Sequence, residues 1–117
     1  MLKKLYRLNK TKDIEKVMKT GHSYYSPFLM LKAIANNLGI TRFTVIVANR
    51  VSKKAVKRNL VKRRLREIIR LALPKIETGA DVVVMASPKI IDSQGKVLKY
   101  QAMEQEIMKI FIKARLV

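Results

Sequence analysis

The sequence predicts an α+β fold, a single-domain α-β sandwich with elements in the order α-β-β-β-α-β-α. Three observations predict it. Short apolar runs such as "TRFTVIVA" and "ADVVVMA" have strand length and sit next to turn residues. Two longer stretches, "AVKRNLVKRRLREIIR" and "YQAMEQEIMKIFIKARL", repeat apolar residues at helical spacing. The chain has 117 residues and no long Gly/Ser/Pro linker, so residues 1–117 are read as one domain with one modest core.

The elements follow in order. Residues 1–10, "MLKKLYRLNK", read as a basic, irregular N-terminal segment. "TKDIEKVMKTG" reads as a short helix. Thr11 is placed to cap it, and Asp13 and Glu15 complement the positive end of its dipole. Ile14, Val17 and Met18 give it an apolar face, and Gly21 ends it. His22, the sole histidine, is then expected at the surface of a turn. "SYYSPFLMLKAIA" reads as extended, with Pro27 separating a short piece from a longer strand. "NNLG" is turn chemistry before "TRFTVIVA", so the strands on either side are expected to pair as an antiparallel hairpin. Ser52 is the expected N-cap of the long helix, with Val51 and Val56 as a hydrophobic staple, and Pro74 prevents continuation beyond Leu73. "ADVVVMA" reads as a buried strand. The last helix sets Met103, Ile107, Ile110, Phe111 and Ala114 on one face.

Charge is the main functional signal. There are 26 Lys and Arg against 8 Asp and Glu, a net charge of +18. A folded domain this basic repels itself and calls for a polyanionic partner. One cluster is Lys3, Lys4, Arg7, Lys10, Lys12, Lys16 and Lys19; the other runs from Arg50 to Arg70 with Glu67 as its one acid. On a helical wheel, Leu60, Val61, Leu65, Ile68, Ile69 and Ala72 share one side of the second cluster. Arg58, Asn59, Lys62, Arg63, Arg66 and Arg70 share the opposite side, and Lys57 and Arg64 fall between. The basic side is a ridge about 18 Å long at 1.5 Å per residue. Like charges at this spacing repel by a few tenths of a kcal/mol per pair, which an apolar face can offset. Arg and Lys suit phosphates, and Asn59 suits a 2′-hydroxyl or a base edge. A solvated surface helix is the plainer alternative, but one acid against so many cations argues for nucleic acid.

Other chemistries find little support. Cysteine is absent, which removes disulfides and thiolate sites and suits a reducing compartment such as the cytoplasm. No run of about 18 apolar residues and no signal-peptide pattern is present, so no membrane or secreted segment is expected. The lone His22 has no second His or Cys for a zinc site, and no phosphate-binding Gly-rich loop occurs. Asp13 and Glu15 are better first-turn charges than an acid/base pair. No catalytic residue and no protein-bound metal is expected.

"AVKRNLVKRRLREIIR" resembles the signature of the protein subunit of bacterial ribonuclease P: an Arg-Asn pair, Arg58-Asn59, followed by Lys and Arg at helical spacing. "RLNKTKDIEKVMKTG", "GADVVVMASP" and Tyr100 to Ile107 resemble the family's first helix, its Asp-Val-Val strand and its last helix. The resemblance implies a fold like the ribosomal protein S5 domain 2-like fold, with a parallel strand pair joined through the basic helix by a left-handed crossover. It implies a ribonucleoprotein that removes the 5′ leader from precursor tRNA, with the catalytic RNA doing the chemistry through bound Mg²⁺. The implied RNA-binding residues are Lys53, Lys54, Arg58, Asn59, Lys62, Arg63, Arg66 and Arg70. Arg7, Ile14, Met18 and Lys32 would line the leader cleft, where the family often has aromatics at the last three positions. The implied partners are the catalytic RNA and precursor tRNA, with no membrane and no DNA. Where the family usually has Gly shortly before the Ala-Val, this chain has Ser52 and one extra Lys. Composition alone fits a ribosomal or general basic RNA-binding protein equally well, and an autonomous nuclease poorly.

Overall fold

The computed structural model describes residues 4–76 and 79–117. A 3₁₀ turn, Lys4–Tyr6, precedes α1 (Thr11–Thr20), β1 (His22–Tyr25), β2 (Leu29–Ala35) and β3 (Arg42–Ile46). The long helix α2 (Ala55–Ala72) follows, then β4 (Ala80–Ala86) and α3 (Tyr100–Lys113). The expected element order holds throughout.

The four strands form one sheet in the order β1-β2-β4-β3. β1 and β2 are antiparallel, β2 and β4 are antiparallel, and β3 and β4 are parallel with Arg42 opposite Asp81. The expected hairpin between "LMLKAIA" and "TRFTVIVA" does not form, because β4 lies between those strands. The reason is burial. Five residues of β4, Ala80 to Val84, are buried in succession, so its backbone groups need partners on both edges and only the centre of the sheet supplies them. The turn after β2 therefore bridges about 10 Å, two strand spacings, instead of one. The real hairpin joins β1 to β2 around Pro27. Ser26 fastens it, its Oγ accepting from the amides of Phe28 at 3.3 Å and Leu29 at 3.1 Å.

Alternation along each strand then divides the core. Leu29, Leu31, Phe43, Val45, Val82 and Val84 face α2 and α3, and meet Val61, Leu65, Ile69, Met103, Ile107 and Phe111. Phe43 and Phe111 stack with ring centroids 5.7 Å apart. The opposite face is thinner: Val83 meets Val17 of α1 and Leu8, with Ile14, Met18, Ile34, Ile46 and Met85 around them.

Several local expectations change. Residues 1–3 of the N-terminal segment lie outside the described residues, and 4–10 are not simply irregular: Leu8 is fully buried, and its amide donates to the Phe43 carbonyl at 2.7 Å. Thr11 is the first helical residue and not the cap, which is Lys10 with no side-chain bond. His22 is exposed as expected but opens β1 instead of a turn. Lys54, not Ser52, caps α2, because Ser52, three residues ahead of the helix, uses its Oγ to accept from the Lys54 amide at 3.1 Å. The staple is absent: Val51 is buried, but Val56 is 80% exposed. Gly21 ends α1 for reasons of space. Its φ of −71° is ordinary, but a Cβ there would lie 2.5 Å from the Val17 carbonyl oxygen.

Candidate nucleic-acid interface

The wheel reading of α2 matches its burial. Val61, Leu65, Ile68, Ile69 and Ala72 are buried, with Leu60 half-buried. Asn59, Arg63, Arg66 and Arg70 are exposed, as are Lys53 and Lys54 at the entrance; Arg58 and Lys62 are half-buried. The helix survives its own repulsion because its opposite face is anchored in the larger core.

The cations of α2 are not equivalent. Arg58 Nη1 donates to the Ser52 carbonyl at 2.7 Å, so it braces the entrance to the helix as well as facing outward. Lys57 Nζ donates to the Gly95 carbonyl, and Arg64 Nη1 donates to the Leu98 carbonyl at 3.0 Å. These two, intermediate on the wheel, grip the loop before α3. Asp92 organises that loop, its Oδ1 accepting from the amides of Gln94 at 2.9 Å and Lys96 at 2.8 Å. Arg70 donates from Nε and Nη2 to Glu67 at 3.1 and 2.5 Å, which holds the Glu67 carboxyl below its ordinary range. Any stabilisation from this exposed pair is present above the ordinary glutamate pKa and is lost as pH falls through the lowered one. Among the described residues, no ion pair engages Arg63 or Arg66.

A cleft of about 390 Å³ opens between the segment before α1, the outer edge of β3 and α2. Arg7, Asn9, Ile14 and Arg66 line it together with Phe43 to Val45. Of the four residues expected in a leader cleft, Arg7 and Ile14 line this one, and Met18 and Lys32 do not. Lys32 Nζ instead donates to the Met18 carbonyl at 2.7 Å, placing its charge at the negative end of the α1 dipole. No tyrosine lines the cleft. Tyr24 and Phe28 pack against the larger core, and Tyr25 is exposed on the far edge of the sheet.

The first residues of β3 and β4 belong to a polar network that the sequence reading missed. Asp81, buried at the start of β4, accepts from Arg42 Nε at 2.8 Å and Nη2 at 2.7 Å, and from Asn36 Nδ2 at 2.9 Å. Arg42 also lies 3.6 Å from Asp13 in the first turn of α1. The hydrogen bond to Asp81, more than the Coulomb attraction of the two carboxylates, raises the Arg42 pKa above its already high ordinary value. Arg42 thus ties α1 to the sheet. The available signal was a lone acid opening an apolar strand, "ADVVV", and a lone base opening another, "RFTVI".

Comparison with known proteins places this geometry. The family model described as "Ribonuclease P" matches residues 2–115. The ribonuclease P protein component of Rippkaea orientalis is 32% identical over 121 residues, covering 99% of this chain and 91% of that protein. The Thermoanaerobacter sp. protein of the same description is 34% identical, covering 93% and 92%. Among solved structures, the Thermotoga maritima RNase P protein superposes with a TM-score of 0.78 at 25% identity, covering 88% of this chain and 92% of that one. A Staphylococcus aureus RNase P protein mutant with defective mRNA degradation activity has the same fold, with a TM-score of 0.86 at 23% identity and coverage of 97% and 92%.

Proposed function

The chain belongs to the ribonuclease P family, and we propose that it divides its surface between two RNAs. It is a protein subunit of the ribonuclease P endoribonuclease and acts in precursor-tRNA processing. In this reading the outward side of α2 binds the catalytic RNA. Asn59, Arg63 and Arg66 make the direct contacts. Lys53, Lys54 and Lys62 add charge, Arg58 contributes while bracing the helix entrance, and Arg70 is shared with Glu67. The 5′ leader of precursor tRNA lies along the cleft, against Arg7 and Ile14. Met18 and Lys32 act one step removed, by seating α1 on the sheet.

One observation carries the reading: α2 buries Val61, Leu65, Ile68, Ile69 and Ala72 on one side while Arg63 and Arg66 stand exposed on the other without an ion-pair partner among the described residues. Guanidinium groups held this way match phosphates, and the energy comes from counterion release and charge-assisted hydrogen bonds. The leader contact is electrostatic and apolar, without stacking on an exposed ring.

Mg²⁺ belongs to the RNA in this proposal. This chain offers it little: no group of three or more His, Asp or Glu residues stands together among those described, and the buried Asp81 is already engaged by Arg42 and Asn36. The protein's part is to bind, orient and neutralise. No helix among the described residues is long and apolar enough to cross a membrane. The two RNA partners would place the protein in the cytoplasm.

The test is reconstitution. The protein, added to a ribonuclease P RNA and a precursor tRNA at low Mg²⁺, should stimulate 5′ cleavage. Absence of stimulation would refute the reading. Cleavage by the protein alone would move the chemistry onto this chain. Equally tight binding of a DNA duplex would make it a general polyanion binder.

A further inference from the structure

Arg66 occupies two places at once. It stands on the outward side of α2 with Arg63, yet it alone of the ridge residues lines the cleft with Arg7 and Ile14. Among the described residues, no carboxylate lines that cleft. Its third wall is the free edge of the sheet. β3 is the last strand in the sheet, and among the described residues a single bridge, Arg7 to Phe43, pairs with its outer side. Backbone groups of alternate residues in a strand point to the same side. The Phe43 carbonyl points outward to the Leu8 amide, so the Val45 amide and carbonyl point outward as well, one step past the bridge. The Val45 side chain is buried in the larger core, so what Val45 presents to the cleft is its peptide.

We propose that this corner is a nucleotide-sized RNA backbone site. Arg7 and Arg66 flank one phosphate of the leader, and the Val45 peptide edge takes the neighbouring 2′-hydroxyl. The inference rests on the leader reading above and adds to it a residue and a chemical preference. The ligand class is single-stranded RNA: a cleft of this volume admits one strand and not a duplex, and a 2′-hydroxyl both donates and accepts, as a peptide edge requires. Arg66 thereby joins the surface for the catalytic RNA to the path of the leader.

The experiment uses the reconstituted holoenzyme and measures Kd for a precursor tRNA and for the mature tRNA; their ratio is the leader gain. Arg66→Ala should lower the ratio by roughly tenfold, the weight of one or two charge-assisted hydrogen bonds. Arg66→Lys should recover part of that loss. Arg63→Ala should weaken binding of the catalytic RNA and leave the ratio unchanged. A scan of single 2′-deoxy substitutions along the leader should find one sensitive position. If Arg66→Ala weakens only the catalytic-RNA complex and the ratio stands, the site is wrong and the ridge reading survives. A leader indifferent to every 2′-deoxy substitution removes the role of Val45. If the unaltered protein shows no leader gain, the leader reading falls and this site with it. Arg66 is exposed, so the urea midpoint of the variant should match the parent and show that any loss is not unfolding.

Discussion

The two faces of the sheet are built to different depths. On one, α2 and α3 close over a core that includes Phe43, Leu65, Ile69, Met103 and Phe111, all at or below 1% exposure. On the other, the fully buried residues are Leu8, Val17 and Val83, and much of the remaining cover is half-buried Ile and Met. The thick face holds the molecule together and so can carry a self-repelling helix on its outside. The thin face leaves room beside α1, and the cleft opens at its margin, between the segment before α1, the outer edge of β3 and α2. Most of the buried packing and the cleft therefore lie in different parts of the molecule, with Arg66 of α2 reaching from one to the other.

Four substitutions test that separation. The largest effect should come from Leu65→Ala on the thick face: about 2–5 kcal/mol of unfolding free energy in urea titrations. Second is Asp81→Ala, which leaves Arg42 and Asn36 without their shared acceptor. Arg42 retains some access to water, so roughly 1–3 kcal/mol is expected instead of the full cost of breaking a buried pair. Third is Gly21→Ala, whose methyl group meets the Val17 carbonyl and must push α1 off its seat. It should cost roughly 1–2 kcal/mol, with a fall in leader gain that Leu65→Ala, assayed well below its melting temperature, does not show. Smallest in stability is Arg63→Ala, within about 0.5 kcal/mol of the parent. Its signature is instead a drop of roughly 0.7–0.9 in the slope of log affinity for the catalytic RNA against log salt. If Leu65→Ala and Gly21→Ala shifted stability and leader gain in the same proportion, the two faces would not be separate after all.

The sequence already carried the element order, the two sides of α2 and the resemblance of Arg58-Asn59 and the basic residues after it, because periodicity is a local property. Strand pairing is not local. "NNLG" is good turn chemistry in either topology, and only the two-sided burial of Val82 to Val84 decides that β4 enters between the strands it separates. Cap assignments at Thr11 and Ser52 failed by one and two residues, since a hydroxyl near a helix start has several amides within reach. Of the four residues expected to line a leader cleft, Arg7 and Ile14 line the cleft beside α2, while Lys32 Nζ reaches the Met18 carbonyl farther along α1. Arg66 could not be placed in the cleft from a wheel, because a wheel shows which way a side chain leaves its own helix and nothing about what stands opposite.

The central position of β4 also bears on how the chain is made. A nascent chain that has emerged only as far as Leu73 carries β1, β2 and β3, but not the strand that β2 and β3 both pair with. The basic helix emerges before the loop that Lys57 and Arg64 grip. The sheet therefore closes late in synthesis, by insertion and not by extension, and until then a strongly cationic segment travels beside the ribosome's own RNA without its final fold.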